Sequence, residues 1–367
     1  ISNWDVSSGT NFYYMFFDAD EFNQDIGSWD VSEGENFQGM FQDASAFARD
    51  ITNWNVDKNA EFDDMFNGAS QINKLGIAGE FSFKDFNKII KYSDLDYIAE
   101  SNINKIYLTG SSHIDAKGNY LDNTLIGNIG NNTLDGGEGN DFLNGGEGDD
   151  VMKGGTGDDT YYVDSKNDSV IEKKSQGNDT IKSYLGWSLA KHTYIENLTL
   201  VGEDNINGTG NSLGNTLTGN AGNNKLYGES GEDILYGDDG NDYLSGGSYK
   251  DKLYGGTGKD TLRGGTNSDK LYGEDGDDIL YGDTGHDYLS GGSNADKLYG
   301  GIGNDTLKGG ADSDKLYGES GEDILDGDSG NDYLSGGSYK DKLYGGTGND
   351  TLRGGTNSDK LYGESGE

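Results

Sequence analysis

Between Gly228 and Tyr362 one apolar position returns every nine residues. Each nonapeptide opens on Gly, carries Asp at its sixth place and Leu at its eighth, and fifteen such units follow without a gap (GESGEDILY, GDDGNDYLS, GGSYKDKLY, GGTGKDTLR, GGTNSDKLY and onward). A single apolar residue between two outward-facing neighbours predicts a short strand. The six residues before it predict a turn, in which glycine reaches φ > 0 without a Cβ clash. Two units then make one coil of two turns and two strands, and stacked coils form parallel sheets over a narrow column of Leu. A disordered Gly/Asp tract would not hold Asp and Leu in phase over fifteen units.

In such a coil, a unit and the next but one lie about 4.8 Å apart. Their aspartates face each other, which is repulsive without a counter-ion. A hard cation removes the repulsion, and carbonyls of the glycine turns complete a shell of six or more oxygens, which suits Ca²⁺ better than Mg²⁺ or Zn²⁺. The pattern G-G-x-G-x-D-x-U-x resembles the calcium-binding nonapeptide repeat of RTX proteins. The resemblance implies a β-roll that leaves the cell unfolded by a type I route and folds on meeting multiple extracellular Ca²⁺.

A second, shorter array covers 118–163 (GNYLDNTLI, GNIGNNTLD, GGEGNDFLN, GGEGDDVMK, GGTGDDTYY). Its candidate metal ligands are Asp141, Asp150 and Asp159. Those of the long array are Asp233, Asp242, Asp251, Asp260, Asp269, Asp278, Asp287, Asp296, Asp305, Asp314, Asp323, Asp332, Asp341, Asp350 and Asp359. Both arrays open with Asn in the Asp place: Asn123 and Asn132, then Asn215 and Asn224. Asn lacks the charge, so these turns are expected to hold calcium weakly or not at all and to template the first coils. Tyr249, Asn267, Asn294, Asp312, Tyr339 and Asn357 replace the fourth-position glycine. Tyr tolerates left-handed backbone worst, so calcium is least secure at the Tyr249 and Tyr339 turns.

The long array has a superunit of five nonapeptides, or two and a half coils: GESGEDIL at 228 and 318, GEDGDDIL at 273. Tyr236, Tyr254 and Tyr272 must therefore share one face, and Tyr281, Tyr299 and Tyr317 the opposite one. Tyr344 and Tyr362 return to the first. Lys at the seventh place (Lys252, Lys270, Lys297, Lys315, Lys342, Lys360) accompanies them. The faces read as tyrosine ladders shielding exposed sheet, with adhesion as the functional alternative.

Residues 1–75 carry another repeat, of 25 residues, with Trp4, Trp29 and Trp54 in phase, and likewise Phe12, Phe37 and Phe62, Met15, Met40 and Met65, and Phe16, Phe41 and Phe66. The W-D-V-S…M-F…A…F-N-Q-D pattern resembles BspA-like leucine-rich-repeat surface proteins. It implies a short extended segment and a helical turn per repeat, stacked into one aromatic core. The tryptophans are expected in that packing. Residues 76–117 form a junction, with Phe83, Phe86, Ile89 and Ile90 on one face of a short helix and a strand over 103–108. Residues 164–209 are expected to form strands that continue or cover the roll without calcium, ahead of the array at 210–367. The fold class expected is mainly β: a parallel β-roll (RTX β-solenoid) with an N-terminal LRR-like solenoid.

With 66 acidic and 27 basic residues the formal charge is −39. Such a chain repels nucleic acid and anionic membranes. No apolar run is long enough for a membrane span. High charge with low hydrophobicity also means that folding depends on bound cations. Cys and Pro are absent, so neither disulfides nor thiolate metal sites arise. His113, His192 and His286 are too few and too scattered for an H-E-x-x-H centre. G-N-S-L-G at 210–214 and G-D-S-G at 327–330 are variants of the repeat, not catalytic elbows. The chain reads as a fragment of a non-enzymatic, secreted or bacterial cell-surface adhesin. Its expected partners are calcium ions, and surface glycans or other proteins. The alternative is the secretion and folding region of a toxin or hydrolase whose catalytic domain lies elsewhere.

Overall fold

Every eighteen residues the chain returns to the same strand position. Leu235 pairs with Leu253, Leu253 with Leu271 and Leu271 with Leu289, all in parallel register. The intervening Leu244, Leu262, Leu280 and Leu298 pair likewise on the opposite sheet. This is the two-unit coil of a parallel β-solenoid. The computed structural model describes residues 1, 4–47, 49, 51, 54, 60–61, 65–66, 90–101 and 103–366. Among them the only helix is a short 3₁₀ turn at Leu189–Lys191, and no helix is long and apolar enough to cross a membrane.

Two compact units divide the chain, Ile1–Gly177 and Asn178–Glu367. In the second, one parallel sheet runs from Thr180–Ser183 to Lys360–Tyr362, and the other from Trp187–Ser188 to Thr351–Gly355. Between them lies the predicted column: every Leu at the eighth place from Leu217 to Leu343 has no exposed surface. Burying one such side chain is worth about 1.5–3 kcal/mol, and the column is one residue wide.

The strands exceed expectation. In the long array most span six residues, as in Lys252–Thr257 and Thr261–Thr266, and run on through the Gly-Gly-x of the next unit. The reason is register: Gly247 pairs with Gly265, so the glycine backbones of successive coils continue the ladder. Only three residues are left for each turn. Residues 164–209 continue the coils, with strands at Ser169–Val170, Thr180–Ser183, Trp187–Ser188, Asn197–Leu200 and Asn207–Thr209.

In the first unit the 25-residue repeats stack in parallel. Phe12 N–H donates to the Asn36 carbonyl, and Phe37 N–H to that of Glu61, both at 2.7 Å. Trp4, Trp29 and Trp54 stack at 6.3 and 6.2 Å, and the indole N–H of Trp54 donates to the Ile26 carbonyl. Trp29 and Trp54 are buried, as packing requires. The expected helical turn is instead a run of four-residue turns, with Met15 N–H donating to the Phe12 carbonyl and Met40 N–H to that of Phe37. The inter-repeat bridges fall at Asn11, Asn36 and Glu61 rather than in the I-x-x-W-D-V segment.

The expected helix at 83–90 lies outside the described residues except for Ile90, which begins the strand Ile90–Ser93. Together with Lys105–Leu108, that strand starts the roll ahead of the first glycine-rich unit. Tyr92, Tyr107 and Ile126 join the same buried cluster as the aromatic stack of the repeats.

Candidate metal centres of the turns

The Asp at the sixth place closes each turn. Its backbone N–H donates to Oδ1 of the Asp one coil downstream: Asp233 to Asp251, Asp251 to Asp269 and Asp269 to Asp287 at 2.8–2.9 Å. On the other edge, Asp242, Asp260, Asp278, Asp296, Asp314 and Asp332 are linked in the same way. The remaining series runs Asp287, Asp305, Asp323, Asp341 and Asp359, and Asp350 accepts from Asp332. In the first unit Asp141 N–H donates to Asp159 and Asp150 N–H to Asp168. All eighteen predicted residues therefore occupy stacked ladders. An amide intervenes between successive carboxylates, so they do not meet face to face.

The second oxygen is the informative one. In the long array Oδ2 of every sixth-place Asp from Asp233 to Asp350 is buried and has no hydrogen-bond donor, as is Oδ2 of Asp141 and Asp150. Adding a Cβ at Gly228 would place it 2.4 Å from Asp233 Oδ2 and 2.7 Å from the Gly246 carbonyl oxygen. At Gly273 the corresponding atoms are Asp278 Oδ2 at 2.4 Å and the Gly291 carbonyl at 2.6 Å. A carboxylate oxygen and a carbonyl of the next coil thus converge on a space that only glycine leaves open. Converging acceptors without donors fit a hard, oxygen-seeking cation such as Ca²⁺. The residues fit the ion that the repeat pattern implies.

Without a cation, burial pushes these carboxyls up. Asp269 and Asp296 rise to about 8, and Asp242, Asp278, Asp287 and Asp314 to about 7. Burial is the largest cause. The hydrogen bond from the upstream amide opposes it, and neighbouring aspartates add repulsion.

The Asn turns close differently. Oδ1 of Asn215 accepts the Asn211 N–H, and its Nδ2 donates to the Glu196 carbonyl. Sequence reasoning missed Asp168, which is buried and accepts the Asp150 N–H through Oδ1. Its Oδ2 accepts from the N–H groups of Asp164 and Ser165. The available signal was Asp two places before a buried Val170, in frame but without Gly-Gly. Tyr161 stands in the Leu column, fully buried, with its hydroxyl accepting the Gly154 N–H and donating to Glu172. Tyr249 and Tyr339 keep the left-handed turn at φ 82° and 83°, with their rings exposed. His113 and His286 accept stacking bonds from Asn131 and Asn304 N–H, and His192 stacks on Trp187.

The tyrosine faces alternate as the superunit requires. Tyr236, Tyr254 and Tyr272 stack at 5.0 Å on one sheet, and Tyr281, Tyr299 and Tyr317 at 5.0 Å on the other. Tyr344 and Tyr362 stack on the first again, at 4.8 Å. Each three-membered stack ends on a tilted seventh-place ring, Tyr288 or Tyr333, at 5.7 Å. Arg263 lies over Tyr281 and pairs with Asp283 at 2.7 Å.

Comparison with known families agrees with this geometry. The family model of the RTX calcium-binding nonapeptide repeat matches 117–152 and 135–170, then seven segments running from 209 to 367. Together these cover more than half of the 367 residues. Residues 1–78 match a family described as Mycoplasma protein of unknown function, DUF285. The comparison with curated proteins found no match. The chain belongs to the family of RTX calcium-binding nonapeptide repeat proteins.

Proposed function

We propose that the chain is a calcium-folded structural and adhesive segment of a protein displayed outside the cell, without enzymatic activity of its own. One observation carries the reading: a buried, donor-less carboxylate oxygen recurs in turn after turn, beside a carbonyl of the next coil. Each such oxygen costs several kcal/mol if left charged and alone, so a fold built from a long run of them requires cations. Extracellular modules bind calcium at ~10⁻⁴ to 10⁻³ M, the regime outside cells. Within the cell the −39 charge holds the chain open. The 25-residue repeats are similar in pattern to those of BspA-like surface proteins, which supports display at a cell surface. The alternating Tyr/Lys faces offer contact to surface glycans or other proteins.

Circular dichroism across a calcium titration from micromolar to ~10 mM, with Mg²⁺ as control, tests the reading. A cooperative gain of β signal in Ca²⁺ alone is expected. A second unit fully folded in chelator overturns it.

A further inference from the structure

In phase with the nonapeptide, so that its Gly is the first place, the unit G-N-x-x-x-N occurs four times, at 118–123, 127–132, 210–215 and 219–224, as the first two turns of each array. In all four, the backbone N–H of the first Asn donates to Oδ1 of the second at 2.7–2.8 Å. Oδ1 of the first Asn then accepts the N–H two residues on, at 2.8–3.0 Å. The Nδ2 groups reach back one coil. Asn211 Nδ2 donates to the His192 and Ile195 carbonyls at 2.9 and 2.8 Å, and Asn220 Nδ2 to that of Asp204 at 3.1 Å. Asn224 Nδ2 donates to the Ile206 carbonyl and to Asn220 Oδ1, both at 2.8 Å. All four Asn of the second array are buried.

The contrast with the Asp turns is chemical. There, Oδ2 and a carbonyl converge and no donor reaches Oδ2. Here, amide N–H groups occupy that role and satisfy the upstream carbonyls directly. The glycine space of each Asn turn is still lined by an Oδ1 and a carbonyl of the next coil, as Asn215 Oδ1 and the Gly228 carbonyl are at Gly210. But that Oδ1 is uncharged and already accepts the Asn211 N–H, so the donor-less carboxylate oxygen of the Asp turns is missing. We infer that these four turns are metal-free clasps, although the family match spans them. Each pair fastens the start of its array to calcium-independent coils, and calcium-driven folding runs from that end toward the C-terminus. In the second unit the supporting coils bury Trp187, Leu189, Ile195, Leu198 and Leu200. On its other side the clasp orients the first ligands, because Asn215 and Asn224 N–H donate to Oδ1 of Asp233 and Asp242 at 2.7 Å. The direction of folding rests on the calcium reading of the Asp turns; the clasp itself does not.

Hydrogen exchange read by mass spectrometry on the full chain, in chelator and across a CaCl₂ titration, tests this. In chelator, amides of 195–224 should exchange at least about tenfold more slowly than those of 233–350. With rising calcium, protection should spread from 233 toward 359. Equal, fast exchange of both segments in chelator overturns the clasp, as does protection that appears first at the C-terminal end. Protection of both segments in chelator instead overturns the calcium reading and leaves the clasp standing. The double variant Asn211→Ala/Asn220→Ala gives a second handle. It should lose the chelator-resistant protection at 195–224 and raise the calcium midpoint of 233–350 at least about threefold. An unchanged midpoint with unchanged protection overturns the clasp.

Discussion

Asp278 is a proton site wherever it is not a calcium ligand. Its metal-free carboxyl sits at about 7 and those of Asp269 and Asp296 at about 8, against about 3.9 in an unfolded chain. The folded pKa is the higher, so the metal-free fold binds more protons than the unfolded chain. That contribution to stability is complete below about pH 4 and lost as pH rises through about 7–8. In chelator, acidification from pH 8 to 5 should therefore restore part of the β signal. In calcium the sign reverses, because protons and Ca²⁺ compete, and the calcium midpoint should rise as pH falls through 7. A chelated chain with pH-independent dichroism between 5 and 8 would contradict both. Asp278→Asn should lower the bound calcium, counted by elemental analysis, by about one equivalent. Tyr249 makes a separate test. Its φ of 82° costs about 1–2 kcal/mol relative to glycine, so Tyr249→Gly should raise the thermal midpoint of the calcium form. The ligand ladders were legible because Asp and Leu keep phase. Asp168 was not, because its turn is held by N–H groups of Asp164 and Ser165 and needs no glycine pair to announce it.

At the level of the strand, phase gave the column and missed the length. An isolated K-L-Y reads as three residues of strand, and nothing local says that Gly-Gly-Thr will continue it. The continuation exists because the neighbouring coil presents the same glycines in register, which is a property of the stack. The aromatic repeats failed in the complementary way: i, i+3, i+4 spacing suggested a helical turn, but stacking every 25 residues through Phe12, Phe37 and the Trp series satisfies the same apolar residues with single hydrogen-bonded turns. In the column, Leu289 has no exposed surface, and Leu289→Ala should cost about 2–5 kcal/mol in the calcium form, measured by denaturant unfolding. Tyr299 stands between two rings at 5.0 Å. Tyr299→Ala should cost about 0.5–1.5 kcal/mol beyond its buried area, a smaller effect than emptying the column.

For the molecule as a whole the dominant quantity is charge. With 66 acidic side chains against 27 basic ones, removing calcium should expand the chain, seen as a larger hydrodynamic radius. Sodium chloride at about 1 M shortens the screening length to about 3 Å and should reverse the expansion only in part, since screening supplies no ligand. The 45-residue superunit has a further effect. The chain is written in nines, but its orientation is set in eighteens, so the arrangement has a parity. Deleting one nonapeptide upstream of Gly273 would exchange the sides on which all later tyrosine stacks appear, while deleting two would leave every side as it was. Identical faces recur only after ten nonapeptides, or five coils. That is a ruler of roughly 24 Å at the ~4.8 Å spacing of stacked strands, and its marks are set by counting residues.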